Sequence, residues 1–265
     1  MITRWSSGSP DANMAEELLT DVGHLVRRHP WWSARARLSI RLLRKYGCIP
    51  PASVLDAGCG WGVTLSALDA AGYATTGLDI SRSALASLET ASRRLIEADL
   101  SVPVPDSARA SFDAVLALDV IEHIDDDRAV VSNLGTLVSP GGLLVVSVPA
   151  RPDLFSDFDR VQGHRRRYTL PMLNDVFLSS GLSIVRTFWW GGWMVPVLRI
   201  QRTRLVKPRG LTPLETYRQF LSLPPWPAKA AMTLAFSLDE QLALSGMNPT
   251  GTSLFAIARR PLPQM

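Results

Sequence analysis

Apolar residues recur at helical intervals near the start of the chain. Met14, Leu18, Val22 and Leu25 fall on one face, which predicts an amphipathic helix over 12–28 ending at His29-Pro30. Ser33 stands where it can cap a second helix through Tyr46, with Leu38 and Leu42 inward and Arg35, Arg37, Arg41, Arg44 and Lys45 around them. Gly47 stops that helix, and Pro50-Pro51 closes the N-terminal unit. From Ser53 the period changes. Short β-rich runs at 54–59, 74–80, 95–99, 112–120 and 143–149 alternate with helical stretches. The fourth run is almost wholly apolar, as expected of a strand covered on both faces, and the Ser139-Pro140-Gly141-Gly142 turn precedes the fifth. This alternation predicts an α/β protein with a parallel sheet wound with helices on both sides.

Beyond Ala150 the regularity loosens. A polar stretch carrying His164 and Arg165-Arg166-Arg167-Tyr168 leads into a helix capped by Thr169, with Pro171 tolerated in its first turn. Runs at 182–190 and 253–260 read as two further strands, bringing the sheet to seven. Between them, 191–245 holds glycine and proline breaks and one helix, 228–245, and reads as an insertion rather than a second domain. The expected organisation is an N-terminal helical lid (1–49), a ligand-binding core (50–190), a cap on the acceptor side (191–245), and the last strand with its tail (246–265).

Composition narrows the class. A chain of 265 residues, 46% hydrophobic and 20% charged, is long enough for one α/β core and too apolar to be disordered. The start is polar where a signal peptide would be apolar, and no run approaches the ~20 apolar residues of a membrane span. Cys48 and Cys59 offer neither a disulfide framework nor a ligand cluster, so a reducing cytoplasmic setting is expected. Charge is unevenly spread: residues 47–150 carry 5 basic and 13 acidic groups, against 8 and 4 before them and 15 and 7 after. Two readings stay open. Either an acidic centre holds a cationic or polar cofactor while basic flanks face an anionic partner, or the arginines simply solvate the surface.

The run Val54-Leu55-Asp56-Ala57-Gly58-Cys59-Gly60-Trp61-Gly62 carries the most chemistry. Glycines at alternate positions directly after a buried strand permit a sharp turn and close backbone approach to a ligand. Asp79 closes the next strand, where a carboxylate suits the two hydroxyls of a ribose. Asp56 stands before the loop, where it would repel a pyrophosphate but hold an ammonium group. Asp99, after the third strand, can accept from an adenine amino group. Three aspartates at successive strand ends share one edge of the sheet, which is where this architecture binds ligands.

The set VLDAGCGWG, GLDIS, EADL, FDAVLALDVIEHIDDD, LVSPGGLLVVSVPA and GHRRRYT resembles the class I S-adenosylmethionine-dependent methyltransferases, and among them the group similar to ubiquinone-biosynthesis O-methyltransferases. The likeness covers roughly residues 24–190 and extends to His29-Pro30-Trp31-Trp32 with Arg35 and to Pro249-Thr250-Gly251-Thr252-Ser253-Leu254. It implies a Rossmann-like, doubly wound, seven-stranded and mostly parallel sheet, and S-adenosylmethionine as cofactor with S-adenosylhomocysteine as product. By the same resemblance Asp56, Gly58, Cys59 and Gly60 form the loop around the methionine part, and Asp79 takes the ribose. Ile80 packs on adenine with Asp99 and Leu100 at its edge, and Leu118 and Asp119 end the fourth strand beside the sulfonium.

Asp119, Glu122 and His123 resemble the E-x-x-E-H stretch that the ubiquinone group associates with a divalent cation, with a shorter first side chain here. The expectation is no metal, with Glu122 and His123 capping and orienting the following helix. His164 is the preferred general base, because a histidine titrates near neutrality and this one follows the fifth strand. The competing role is a clamp with Arg167 and Tyr168. His24 and His29, on the lid, are the other candidates. Trp31, Trp32, Trp189, Trp190, Trp193 and Trp226 lie in the two regions that cover the pocket, where they can sandwich a flat acceptor or serve as core. The basic stretch from Arg199 to Arg209 suits peripheral contact with an anionic membrane or a charged acceptor, or only solvent. No nucleic-acid module is recognisable. The expected function is methyl transfer to a small molecule of specialised or quinone- or lipid-linked metabolism, to oxygen in preference to nitrogen or carbon, by a monomer or homodimer. The alternatives are a nicotinamide-dependent oxidoreductase, against which Asp56 and the G-x-G-x-G loop speak, and a silent binding subunit of the same fold.

Overall fold

The structure, a computed structural model, is described for residues 1–6, 16–90, 92–204, 212–223 and 226–263. Its sheet has eight strands: β1 (Ile2–Arg4), β2 (Ser53–Ala57), β3 (Ala74–Asp79), β4 (Arg94–Glu97), β5 (Phe112–Leu118), β6 (Val138–Pro149), β7 (Ser183–Trp190) and β8 (Ser253–Arg259). They lie in the order β1-β4-β3-β2-β5-β6-β8-β7, all parallel except β8, which runs antiparallel to β6 and β7. Seven of these are the expected strands. The eighth, β1, is only three residues long and pairs with β4 at the edge, so the N-terminal unit is part strand rather than wholly helical. A segment that short carries no readable period.

Side chains of β5 alternate between two buried layers, and this explains its unbroken apolar run. Val115 and Ala117 enter one layer, with Leu144, Val146, Val130 and Leu134; Ala114, Leu116 and Leu118 enter the other, with Leu38, Leu42, Phe236 and Ile257. The predicted 12–28 helix appears as α1 (Glu16–Asp21) and α2 (Gly23–Arg28), broken at Val22, while Met14 lies outside the described residues. A Cβ on Gly23 would sit 3.1 Å from the Trp61 ring, whose Nε1 donates to the Leu19 carbonyl at 2.9 Å.

The next helix, α3 (Pro30–Lys45), starts earlier than Ser33. His29 caps it, its Nδ1 accepting from the Trp31 N–H at 3.2 Å, and Pro30 fills the first position, where no N–H is needed. The insertion builds three helices instead of one: α9 (Met194–Arg204), α10 (Pro213–Leu221) and α11 (Ala228–Ser245), the last as expected. Tyr217 and Leu221 of α10 share a core with Leu18, Val22, Val26 and Trp32, so the N-terminal helices and the 191–245 segment pack together. Asp239 of α11 staples the insertion to the end of β7, accepting from Gly191 N at 2.6 Å and Gly192 N at 3.0 Å. Strand order turns between β2 and β5, and the crevice outside their carboxyl ends is where such sheets bind ligands.

Candidate cofactor pocket and transfer corner

The loop after β2 is built from backbone that only glycine adopts easily. Gly58 has φ +73° and a Cβ there would meet Val120 Cγ2 at 2.4 Å, while Gly60 has φ +45° and open space where its Cβ would be. Gly60 thus presents bare backbone to a cavity of about 950 Å³ at the switch point. Asp56, Gly58, Cys59, Gly60, Asp79, Ile80, Asp99, Leu100, Leu118 and Asp119, read from sequence as the cofactor set, all line this one cavity.

The three carboxylates differ in what already holds them. Asp79 Oδ2 accepts from Gly60 N at 2.8 Å and Oδ1 from Ser81 N at 2.9 Å, which locks the second strand end to the loop. Burial still pushes its carboxyl above the ordinary range, against those backbone hydrogen bonds. Asp99 Oδ1 accepts from Ser101 N at 2.8 Å and from its hydroxyl at 2.6 Å, and the Asp99 N–H donates to Ser6 Oγ at 2.8 Å. Asp56 is the unsatisfied one. It is 3% exposed, its Oδ2 meets no hydrogen-bond partner, and burial pushes it up to about 7 in spite of Arg35. A buried carboxylate oxygen in a cavity wall, with nothing of the protein's own to pair it, suits a ligand cation.

Arg35 is the residue that sequence reasoning placed wrongly. Instead of lying among solvated arginines it is buried, ion-paired with Asp119, and set 4.6 Å over the Trp31 ring. Asp119 has φ +58° and also accepts from Ser147 Oγ at 3.0 Å. The helical period contained the signal: positions 35, 38 and 42 share one face with the inward leucines.

Toward the ends of β5 and β6 lies a second buried polar group. His164 has a side chain 7% exposed, with Nδ1 at 3.2 Å from Asp159 Oδ1 and Nε2 at 3.8 Å from Glu122 Oε1. Glu122 does not cap the next helix, α6 (Asp127–Leu137); Asp126 does, accepting from Ala129 N at 2.9 Å. Instead Glu122 is fully buried with neither carboxyl oxygen partnered, and burial beside Asp119 raises its carboxyl well above the ordinary range. Burial and the neighbouring His164 push His123 down to about 3. Among the described residues, Glu122, His123 and His164 bring ligand atoms within 4.8 Å of one another.

The remaining candidates separate. His29 lines the cavity, but as the α3 cap, pushed down to about 4 by burial and Lys229. His24 does not line it, because Val22 and Val26 take the inner side of their helix and leave His24 exposed. Tyr168 is not part of a clamp with His164: its hydroxyl donates to Asp127 Oδ2 at 2.8 Å, beside Arg166. Trp31, Trp32 and Trp193 line the cavity, Trp190 is wholly in the core, and Trp226 is exposed. Of the 199–209 stretch, 205–209 lies outside the described residues, and Arg199 reaches Asp153 at 3.4 Å.

A glycine loop and strand-end carboxylates around one cavity, at the switch point of a doubly wound sheet, define a Rossmann-like protein with a nucleoside-bearing cofactor. The sequence matches the methyltransferase domain family over residues 31–187, and the chain belongs to that family. The ubiquinone biosynthesis O-methyltransferase of Chromobacterium violaceum is 29% identical over 137 residues, 45% of this chain and 57% of that protein. The chain thus spans about half the length of the curated relatives it matches. Among solved structures, phosphoethanolamine N-methyltransferase 2 of Haemonchus contortus, in complex with S-adenosyl-L-methionine, superposes with a TM-score of 0.51 at 18% identity, covering 86% of this chain and 52% of that one. The 1,6-didemethyltoxoflavin-N1-methyltransferase of Burkholderia thailandensis, with its substrate and S-adenosylhomocysteine bound, gives 0.50 at 18% identity, covering 86% and 78%. At such identities the likeness is one of fold. No helix among the described residues is long and apolar enough to cross a membrane.

Proposed function

We propose that this chain transfers a methyl group from S-adenosylmethionine to an oxygen of a small acceptor. The observation that carries the reading is Asp56, a buried carboxylate with a free oxygen, in one cavity wall with Asp79 and the bare Gly60 backbone. Asp56 holds the ammonium of the methionine part, Asp79 takes the ribose hydroxyls, and Ile80, Asp99 and Leu100 frame the adenine. Arg35 is the cation available to the methionine carboxylate. Methyl transfer is an in-line displacement with a good leaving group, so the protein chiefly aligns the partners and removes a proton. His164 is the base assigned to that proton.

The far wall supports an apolar, flat acceptor. Trp31, Trp193, Met194, Met232 and Phe236 line it, and Trp193 Nε1 and Thr252 Oγ1 are buried there without partners, available to orient a polar group. The name of the ubiquinone relative favours oxygen and a quinone- or lipid-linked acceptor. Exposed Trp226, Leu234 and Leu238 on the insertion support peripheral membrane contact, and two buried free cysteines support a cytoplasmic setting.

Calorimetry tests the cofactor reading: S-adenosylmethionine and S-adenosylhomocysteine should bind, and NADH should not. NADH binding alone would return the oxidoreductase reading, and binding of neither would favour a silent subunit. Incubation with isotopically labelled methyl donor and fractionated metabolites then identifies the acceptor.

A second reading of the transfer corner has an observation of its own. Glu122 and His123 bring buried ligand atoms with no hydrogen-bond partner, and with His164 they fit a divalent cation; Asp119 is instead committed to Arg35 and Ser147. A cation there would supply Lewis acidity, lowering the pKa of an acceptor hydroxyl. Metal content of the purified chain, compared with Glu122→Gln and His123→Ala variants, distinguishes this from a metal-free base.

A further inference from the structure

Asp159 belongs to α7 (Asp157–Val161) and was not singled out from the sequence. Its side chain is fully buried, and each of its oxygens has a different task. Oδ2 closes a capping box, accepting from Ser156 N at 2.7 Å and Ser156 Oγ at 2.8 Å. Oδ1 takes no part in the cap. It accepts from Arg167 Nε at 2.6 Å and stands 3.2 Å from His164 Nδ1, while the Asp159 carbonyl accepts from His164 N at 2.8 Å. Backbone and side chain together therefore fix His164 against this one residue.

We infer that Asp159 is a positioning residue that holds His164 as the Nδ1–H tautomer and so leaves Nε2 as the free basic nitrogen. The inference rests on the reading of His164 as the base for its consequence, though not for its geometry. An ionised carboxylate only accepts, so the ring nitrogen facing it must carry the proton. Arg167 Nε donates to the same Asp159 oxygen at 2.6 Å, the pairing of a carboxylate rather than of a protonated acid. The other nitrogen then has a lone pair on the side of Glu122, and His164 lines the cavity together with Asp119 and His123. Among the described residues, Asp159, Glu122, His123 and Arg167 are ionisable groups beside His164, and of these four Asp159 alone is within hydrogen-bond reach of its ring. A carboxylate in this place selects the tautomer and ring orientation without touching the substrate, as carboxylates do behind other functional histidines.

The test is the long-range ¹H–¹⁵N spectrum of the imidazoles in the uniformly labelled full chain, in EDTA and without acceptor, with His164 assigned by its loss in His164→Gln. Wild type should show a single Nδ1–H pattern for His164. Asp159→Ala should shift that signal to the Nε2–H pattern, and Ser156→Ala, which removes one cap contact but leaves Oδ1 in place, should not. An Nε2–H His164 in wild type overturns the inference, with no variant needing to fold. So does an unchanged tautomer in Asp159→Ala. Once an acceptor is known, Asp159→Ala should lower kcat at least tenfold with the methyl-donor KM within twofold. If His164→Ala keeps full turnover while the tautomer results hold, the base assignment fails and the Asp159–His164 coupling stands.

Discussion

The two sides of the cavity are built on different principles. On the cofactor side the chain uses backbone: Gly58 and Gly60 at positive φ, and carboxylates at consecutive strand ends. On the opposite side it uses side chains drawn from distant segments: Trp31 from α3, His164 from the polar loop after α7, and Trp193 and Phe236 from the 191–245 segment. On the proposed roles, the first side selects the cofactor and can be shared by proteins with unrelated acceptors. The second is free to vary, because nothing in the sheet dictates it. If this division is right, changes on one side should leave the other's binding intact.

The largest expected effect is on the cofactor side. On the proposed ribose role, Asp79→Ala removes the acceptor of two hydroxyls, and two charge-assisted hydrogen bonds at about 2 kcal/mol each amount to a ~1,000-fold loss of methyl-donor affinity. The fold should survive, since burial already raises that carboxyl and its ionisation costs stability. Calorimetry with circular dichroism checks both, and micromolar affinity retained in a folded variant would contradict the ribose role. His164→Ala should do the converse, slowing turnover ~100-fold while donor affinity stays within twofold. A variant that loses donor binding as well would erase the division between the two sides.

That division also explains what could be read in advance. Glycine loops and strand-end aspartates depend on neighbours in sequence, so β2, β3 and the gathering of those residues around one cavity were legible. Asp159 was not, because its partners stand five and eight residues on, across an irregular loop with no period. Glu122 reads as a helix cap until Asp126 is seen to hold that post, and proline breaks hid α9 and α10. Arg35 was misread although its face was legible, because arginine is seldom buried unless paired and its partner, Asp119, lies 84 residues away.

Asp56 sharpens the comparison through pH. Its carboxyl is pushed up to about 7 by burial, and an ammonium ion beside it favours the ionised form, so donor binding below pH 7 must release its proton. Affinity should therefore rise about tenfold per pH unit up to about 7 and level off above. Calorimetry in buffers of different ionisation enthalpy reports the released proton directly. A flat profile below pH 7, or the same slope in Asp56→Asn, would place the ammonium elsewhere.

The smallest effect tests the lid, where the two sides meet. His29 caps α3 through an unprotonated Nδ1, so His29→Ala should cost about 1 kcal/mol at neutral pH, as other cap losses do. In the folded chain burial lowers its pKa from 6.5 to about 4, which disfavours the charged form. For a base shifted in that direction, stability is lost as pH falls through the unfolded value of 6.5 toward 4, up to about 3 kcal/mol in wild type. The alanine variant lacks that group and so lacks that slope. Denaturant midpoints for the two chains should accordingly approach each other on acidification and cross before pH 4, the variant becoming the more stable. Parallel curves over that interval would mean that His29 is not held neutral, and that the lid is anchored by Pro30, Trp31 and Trp32 alone.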